Sequence, residues 1–180
     1  WSGNQLRRPQ AQRSMESWVK PDDGWVKVNT HGAIAKQDGS GGGGAILSAN
    51  HGEIVAGMSH FFPLTADPEL AELLACRPGV RLAQEHEAPR VVVEMDSLSA
   101  VGKINNMQKD LSASGQIVQD IKELLTQFQD CKVRLVRRSA NKVAHRLARE
   151  GCCRSLCYVW RHVAPNFVSS DLASDGGLES

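Results

Sequence analysis

From Trp25 onward the chain alternates, with Val26, Val28 and Thr30 on one parity and Lys27, Asn29 and His31 on the other. That period of two predicts a strand with unlike faces. The run KQDGSGGGG follows, and its glycines 41–44 predict a flexible hairpin turn rather than a phosphate cradle, because no helix opens after them. AILS and EIVAGMSHF read as two further strands, divided by ANHG, which has hairpin-turn chemistry. The three strands form an antiparallel meander.

The period then changes to that of a helix. In DPELAELLA, Asp67 is placed as the N-cap, Pro68 at the first helical position and Glu69 in the first turn, with Leu70, Leu73 and Leu74 as the buried stripe. Pro78 and Gly79 predict a bend or break before VRLA resumes, since an interior proline costs about 3 kcal/mol. VVVEMDS is short and continuously apolar, as a buried central strand is. SLSAVGKIN predicts a short helix capped by Ser97. Beyond a polar linker, Ile117, Ile121, Leu124, Leu125 and Phe128 fall on one helical face. KVRLV alternates as a strand, and ANKVAHRLAREG follows as a helix closed by Gly151. The order β-β-β-α-β-α-α-β-α predicts an α/β fold: a five-stranded mixed sheet with helices on its faces. Residues 1–17 lack periodicity and read as a mobile leader, residues 18–162 as the domain, and 163–180 as a C-terminal extension.

Composition adds limits rather than a function. A chain of 180 residues suits one domain with irregular ends, and no apolar run is long enough to span a bilayer. Neither a secretory signal nor a repeated CxxC is visible. The five cysteines, Cys76, Cys131, Cys152, Cys153 and Cys157, therefore read as free thiols of a reducing compartment, nuclear or cytoplasmic, not secreted. Net charge is +1, yet residues 132–149 hold seven basic side chains and no acid: Lys132, Arg134, Arg137, Arg138, Lys142, Arg146 and Arg149. That stretch can contact phosphates, or serve as a solvated face balanced by acids elsewhere. Trp18, Trp25 and Trp160 read as core or docking residues, and Cys152 and Cys153 as helix-end packing.

Four ordered stretches carry a family likeness: WVKPDDGWVKVNTHGA, AELLACRPGVRLA, VVVEMDSLSAV and VRRSANKVAHRLAREG. Together they resemble ribonuclease H of the plant retroelement type, associated with reverse transcriptases. The first is similar to that family's W-x-x-P-x-x-G-x-x-K-x-N-x-D-G-A opening, the third to its Glu-x-Asp-Ser strand end, and the fourth to its R-x-x-N-x-x-A-D-x-L-A helix. The tail APNFVSSDLASD looks like that type's C-terminal extension. The resemblance implies a domain that cleaves the RNA strand of an RNA–DNA hybrid with two divalent ions, Mg²⁺ or Mn²⁺, held by four carboxylates. Carried over position by position, His31 stands where the first Asp is expected, Glu72 where the Glu is expected, Asp96 where the third acid is expected, and His145 where the last Asp is expected.

The two histidines change the expected chemistry. Mg²⁺ takes oxygen ligands at about 2.0–2.1 Å, and two-ion sites hold their cations about 3.5–4 Å apart. A neutral imidazole offers one lone pair and cannot bridge two ions as a carboxylate does. Glu72 and Asp96 remain as metal ligands, and with the imidazoles they form a mixed N/O set that suits Zn²⁺, Mn²⁺ or Fe²⁺. Glu94 lies on the strand face of Asp96 but would have to reach a neighbouring strand's position. Asn141 supports substrate or site geometry or begins a helix, and Ser97 binds a phosphate or caps one. Arg137, Arg138 and Lys142 complete the nucleic-acid-binding candidates. Three readings stay open: a nucleic-acid-binding domain with impaired or lost catalysis, an active atypical nuclease, and a retroelement-derived module that binds a protein partner.

Overall fold

A computed structural model describes residues 17–65 and 67–174. Apart from Ser17, the expected leader lies outside the described residues, as does the end of the expected extension. The strands are β1 (Val26–Ile34), β2 (Gly41–Ser48), β3 (Ile54–Phe62), β4 (Arg90–Met95), β5 (Asp130–Leu135) and β6 (Tyr158–Arg161). The helices are α1 (Pro68–Glu85), α2 (Leu98–Asn105), α3 (Gly115–Leu125), α4 (Lys142–Arg154) and α5 (Ser169–Ser174). The sheet runs β5-β4-β1-β2-β3-β6. The meander β1-β2-β3 is antiparallel, β4 joins β1 and β5 in parallel, and β6 pairs antiparallel with β3.

The α/β class and the mixed sheet agree with the sequence reading, but the strand count is six rather than five. Hydrophobic periodicity misses β6 because it spans four residues and places only Trp160 in the core. That core joins Ile46, Val143, Leu147, Trp160, Val168 and Leu172, so the described part of the C-terminal extension packs against α4. The larger core lies on the opposite face, where α1, α2 and α3 cover Val28, Ala45, Leu47, Met58, Val91, Val93 and Met95.

Three local expectations are corrected. Glycines 41–44 form the start of a fully buried strand, not a turn. A Cβ at Gly42 or Gly44 would overlap the carbonyl oxygens of Ala148 and Ala144 in α4, and one at Gly43 would lie 2.8 Å from the Phe62 ring. Gly42 and Gly44 are glycine because the backbones of α4 and β2 touch there, and Gly43 because Phe62 and Ala75 of α1 press on the other face. Of the bend or break expected at Pro78, the break is excluded, since α1 continues to Glu85. Its neighbour Gly79 faces Thr30, Ala45 and Val28 at about 3 Å from where a Cβ would sit, so glycine lets α1 lie close against the sheet. Gly151 is not the end of α4. The helix runs to Arg154, Ser155 takes the left-handed conformation at the cap, and Gly151 lets the helix pass over the His60 carbonyl.

Other details agree with their sequence cues. The Asp67 side chain accepts from the Glu69 N–H at 3.0 Å, and Ser97 accepts from the Ala100 N–H at 3.3 Å. The five cysteines are all unpaired thiols. Among the described residues, no helix is long and apolar enough to cross a membrane.

Candidate active site

Four elements converge at one end of the β1–β4 pair. His31 sits on β1, on the face shared with Asn29 and Lys27, and Asp96 directly follows β4, the parallel neighbour of β1. Glu72 arrives from α1 because Gly32 lets the backbones meet: a Cβ there would overlap Ala71 and the Glu72 nitrogen. His145 arrives from α4, whose first turn is tied to β1 by the Asn141 Nδ2–H, which donates to the Thr30 carbonyl at 2.8 Å. All four positions inferred from sequence therefore meet in space.

The geometry centres on His31. Its Nδ1 lies 2.8 Å from Asp96 Oδ1 and 3.2 Å from Glu72 Oε1. An atom facing two carboxylate oxygens carries its proton there and donates. The other nitrogen, Nε2, lies 3.0 Å from His145 Nδ1, and the two rings meet edge to face at 4.7 Å. Arg138 closes the mouth, with Nε 3.9 Å from Asp96 Oδ2 and a terminal nitrogen 3.4 Å from His145 Nδ1. Glu72 Oε2 and Asn141 Oδ1 are buried without a hydrogen-bond partner.

Burial and charge separate the two carboxylates. Burial pushes the Glu72 carboxyl up to about 7, aided by the charge of Asp96 and opposed by that of His31. Burial also acts on Asp96, but the hydrogen bond and charge of His31, with Arg138, outweigh it and hold this carboxyl below its ordinary range. Burial is the first cause that pushes His145 down to about 4, followed by the charges of His31, Arg138 and Arg149.

A stability prediction follows from Glu72. Its folded value lies above its ordinary one, so its contribution is most favourable below about pH 4.5 and is lost as pH rises through about 7. The gap corresponds to about 3 kcal/mol. Glu72→Gln, which cannot ionise, is expected to stabilise the ion-free protein by about that amount at pH 8. Urea midpoints should show the gain shrinking to nothing near pH 4.5; an equal gain at both pH values would contradict it.

The remaining candidates divide. Ser97 is occupied in capping α2. Arg137 is exposed at the end of the β5 segment, and Lys142 is exposed in the first turn of α4. Glu94 is not a spare ligand: it is buried against Lys27 at 3.0 Å, Arg134 at 2.8 Å and the Asn29 amide at 3.0 Å. Sequence reasoning missed Gly32, whose effect requires knowing that α1 crosses β1. It also did not single out Arg149, one of seven similar charges until α4 places its field on His145.

The residues do not fit a pair of Mg²⁺ ions. Two of four positions carry imidazole, and the His31 Nδ1 occupies the space between the Glu72 and Asp96 carboxylates. A single ion is a different case. One donor atom each from His31, Glu72 and Asp96 lies within 4.8 Å of the others, and such an N/O set suits a borderline ion once His31 Nδ1 gives up its proton.

The reverse transcriptase-like family model matches residues 29–151. A protein of Arabidopsis thaliana named as a ribonuclease H protein is 34% identical over 179 residues, covering 97% of the chain. The chain spans 28% of that relative's length. Among solved structures, the N-terminal RNase H domain of a Mycobacterium tuberculosis protein superposes with a TM-score of 0.68 at 22% identity, over 73% of this chain and 95% of that one. RNase H1 of Halobacterium salinarum gives 0.66 at 22% identity, over 73% and 99%. An RNase H1 isolated from compost, solved in complex with an RNA/DNA hybrid, gives 0.65 at 18% identity, over 72% and 98%. At these identities the solved structures establish a shared fold.

Proposed function

The chain belongs to the reverse transcriptase-like family, and from that premise we propose that it is a ribonuclease H-like nucleic-acid-binding domain that has lost efficient two-ion hydrolysis. The observation that carries this reading is the His31 imidazole, whose Nδ1–H contacts both Asp96 and Glu72. The N–H ties the two acids together as a cation would, but it polarises no water and supports no leaving oxygen. The reduced carboxylate charge weakens the attraction for a second divalent ion as well. An RNA–DNA hybrid is the substrate class this reading assigns to the cleft, and a reducing compartment, nuclear or cytoplasmic, suits the unpaired thiols.

A second reading rests on the donor set of His31, Glu72 and Asp96: one Zn²⁺ or Mn²⁺ ion held there, with residual metal-dependent cutting. One experiment addresses both. Labelled RNA–DNA hybrid is incubated with the protein in Mg²⁺, Mn²⁺ and Zn²⁺ in turn, beside Asp96→Asn. The first reading expects no cutting above that variant with any ion. Cutting in Mn²⁺ or Zn²⁺ that Asp96→Asn abolishes supports the second, and robust Mg²⁺-dependent cutting overturns the first.

A further inference from the structure

A cleft of four ionised carboxylates repels a phosphodiester unless cations lie between them, but this cleft is charged differently. Of its two acids, Asp96 lies against the His31 N–H and beside Arg138, and Glu72 is buried beneath them. Around the mouth stand permanent cations. Arg138 is 67% exposed and reaches both Asp96 and His145. Lys142, His145 and Arg149 follow at i, i+3 and i+7 on α4, so one helical face carries the ring with a cation on either side. Arg146 and Arg149 are exposed, and no acidic residue occurs from Cys131 to Arg149.

We propose that Arg138 and the Lys142–Arg149 face of α4 grip the phosphodiester backbone of a nucleic acid directly, with no divalent ion between protein and phosphate. Formal charge supports this. The two carboxylates are matched by Arg138 and Arg149 alone, and Lys142 and Arg146 lie on the same helix as additional phosphate partners. Guanidinium is suited to the task because its planar N–H fork meets two phosphate oxygens at once and stays charged at every relevant pH. The inference deepens the reading of a non-cleaving nucleic-acid-binding domain and rests on it.

The test is fluorescence anisotropy with an end-labelled RNA–DNA hybrid and the whole chain, in EDTA and in Mg²⁺, over a series of salt concentrations. Affinity in EDTA is expected to lie within about twofold of that in Mg²⁺. Arg138→Ala and Arg149→Ala are each expected to weaken binding by roughly three- to tenfold at moderate salt and to lower the salt slope by about one. Arg138→Lys should keep the salt slope while losing part of the affinity. Circular dichroism checks that these exposed substitutions leave the fold intact. Binding that appears only with a divalent ion, or an unchanged salt slope in the alanine variants, overturns the proposal. Gel analysis of the same samples keeps the two readings apart. Cut hybrid in Mg²⁺ refutes the loss of hydrolysis, whereas intact hybrid that binds only with Mg²⁺ refutes the direct phosphate grip.

Discussion

Replacing His31 and His145 together by aspartate is expected to raise hybrid cleavage in Mg²⁺ by on the order of a hundredfold or more, equivalent to roughly 3 kcal/mol of transition-state stabilisation. The scaffold for this gain already exists. Glu72 and Asp96 are in place beside position 31, and Asn141 anchors the helix that carries position 145. Aspartate at position 31 restores an oxygen donor able to touch two ions, so His31→Asp alone should recover more than His145→Asp alone. The double variant should also become less stable without Mg²⁺, because it gathers four acids with no imidazole N–H among them, and should regain stability when Mg²⁺ is added. Thermal melts with and without the ion, run beside the cleavage assay, check both halves. A double variant that gains ion-dependent stability but no activity would mean that a feature other than these two ligands limits hydrolysis.

Gly44→Val is expected to cost more than about 4 kcal/mol or to prevent folding, placing it among the exceptional single substitutions. A Cβ at Gly44 would overlap the Ala144 carbonyl and lie 2.5 Å from the Ala148 nitrogen and 2.8 Å from the Leu147 Cβ. Most of those atoms are backbone and cannot turn aside, so α4 itself must move. Since α4 carries His145 and Asn141, the site would be displaced along with the core. Gly102→Ala is the control. Nothing lies within 4 Å of its Cβ position on the exposed side of α2. Removing a helical glycine there should stabilise by about 0.5–1 kcal/mol. Urea unfolding of both variants measures the contrast, and a mild effect at Gly44 would show that α4 is less tightly seated than these distances imply.

The elements with strong side-chain periodicity were readable in one dimension. Val26, Val28 and Thr30 marked β1, the apolar face of α3 marked that helix, and Asp67 with Pro68 marked the start of α1. Glycines 41–44 could not be read this way. Hydrophobic alternation needs side chains, and a strand that has none because two helices press on it looks like a turn. Gly151 misled for the same reason: glycine is used both to end helices and to let them pass close to another backbone.

For the site, the order of motifs placed His31, Glu72, Asp96 and His145 at equivalent stations, and the fold brings the four together. Which acid is spare and which cation faces the cleft depended on neighbours far apart in sequence. Glu94 shares a strand face with Asp96, yet Lys27 and Arg134 from flanking strands occupy it. Arg149 is one basic residue among seven until α4 places it one turn from His145. The chain alone thus determined most of the secondary elements, their order apart from β6, and which chemical groups stand at the four stations. Only the tertiary structure decided which groups each imidazole faces and which charges surround it, because hydrogen bonds and Coulomb interactions act over a few ångströms of space, whatever the distance along the chain.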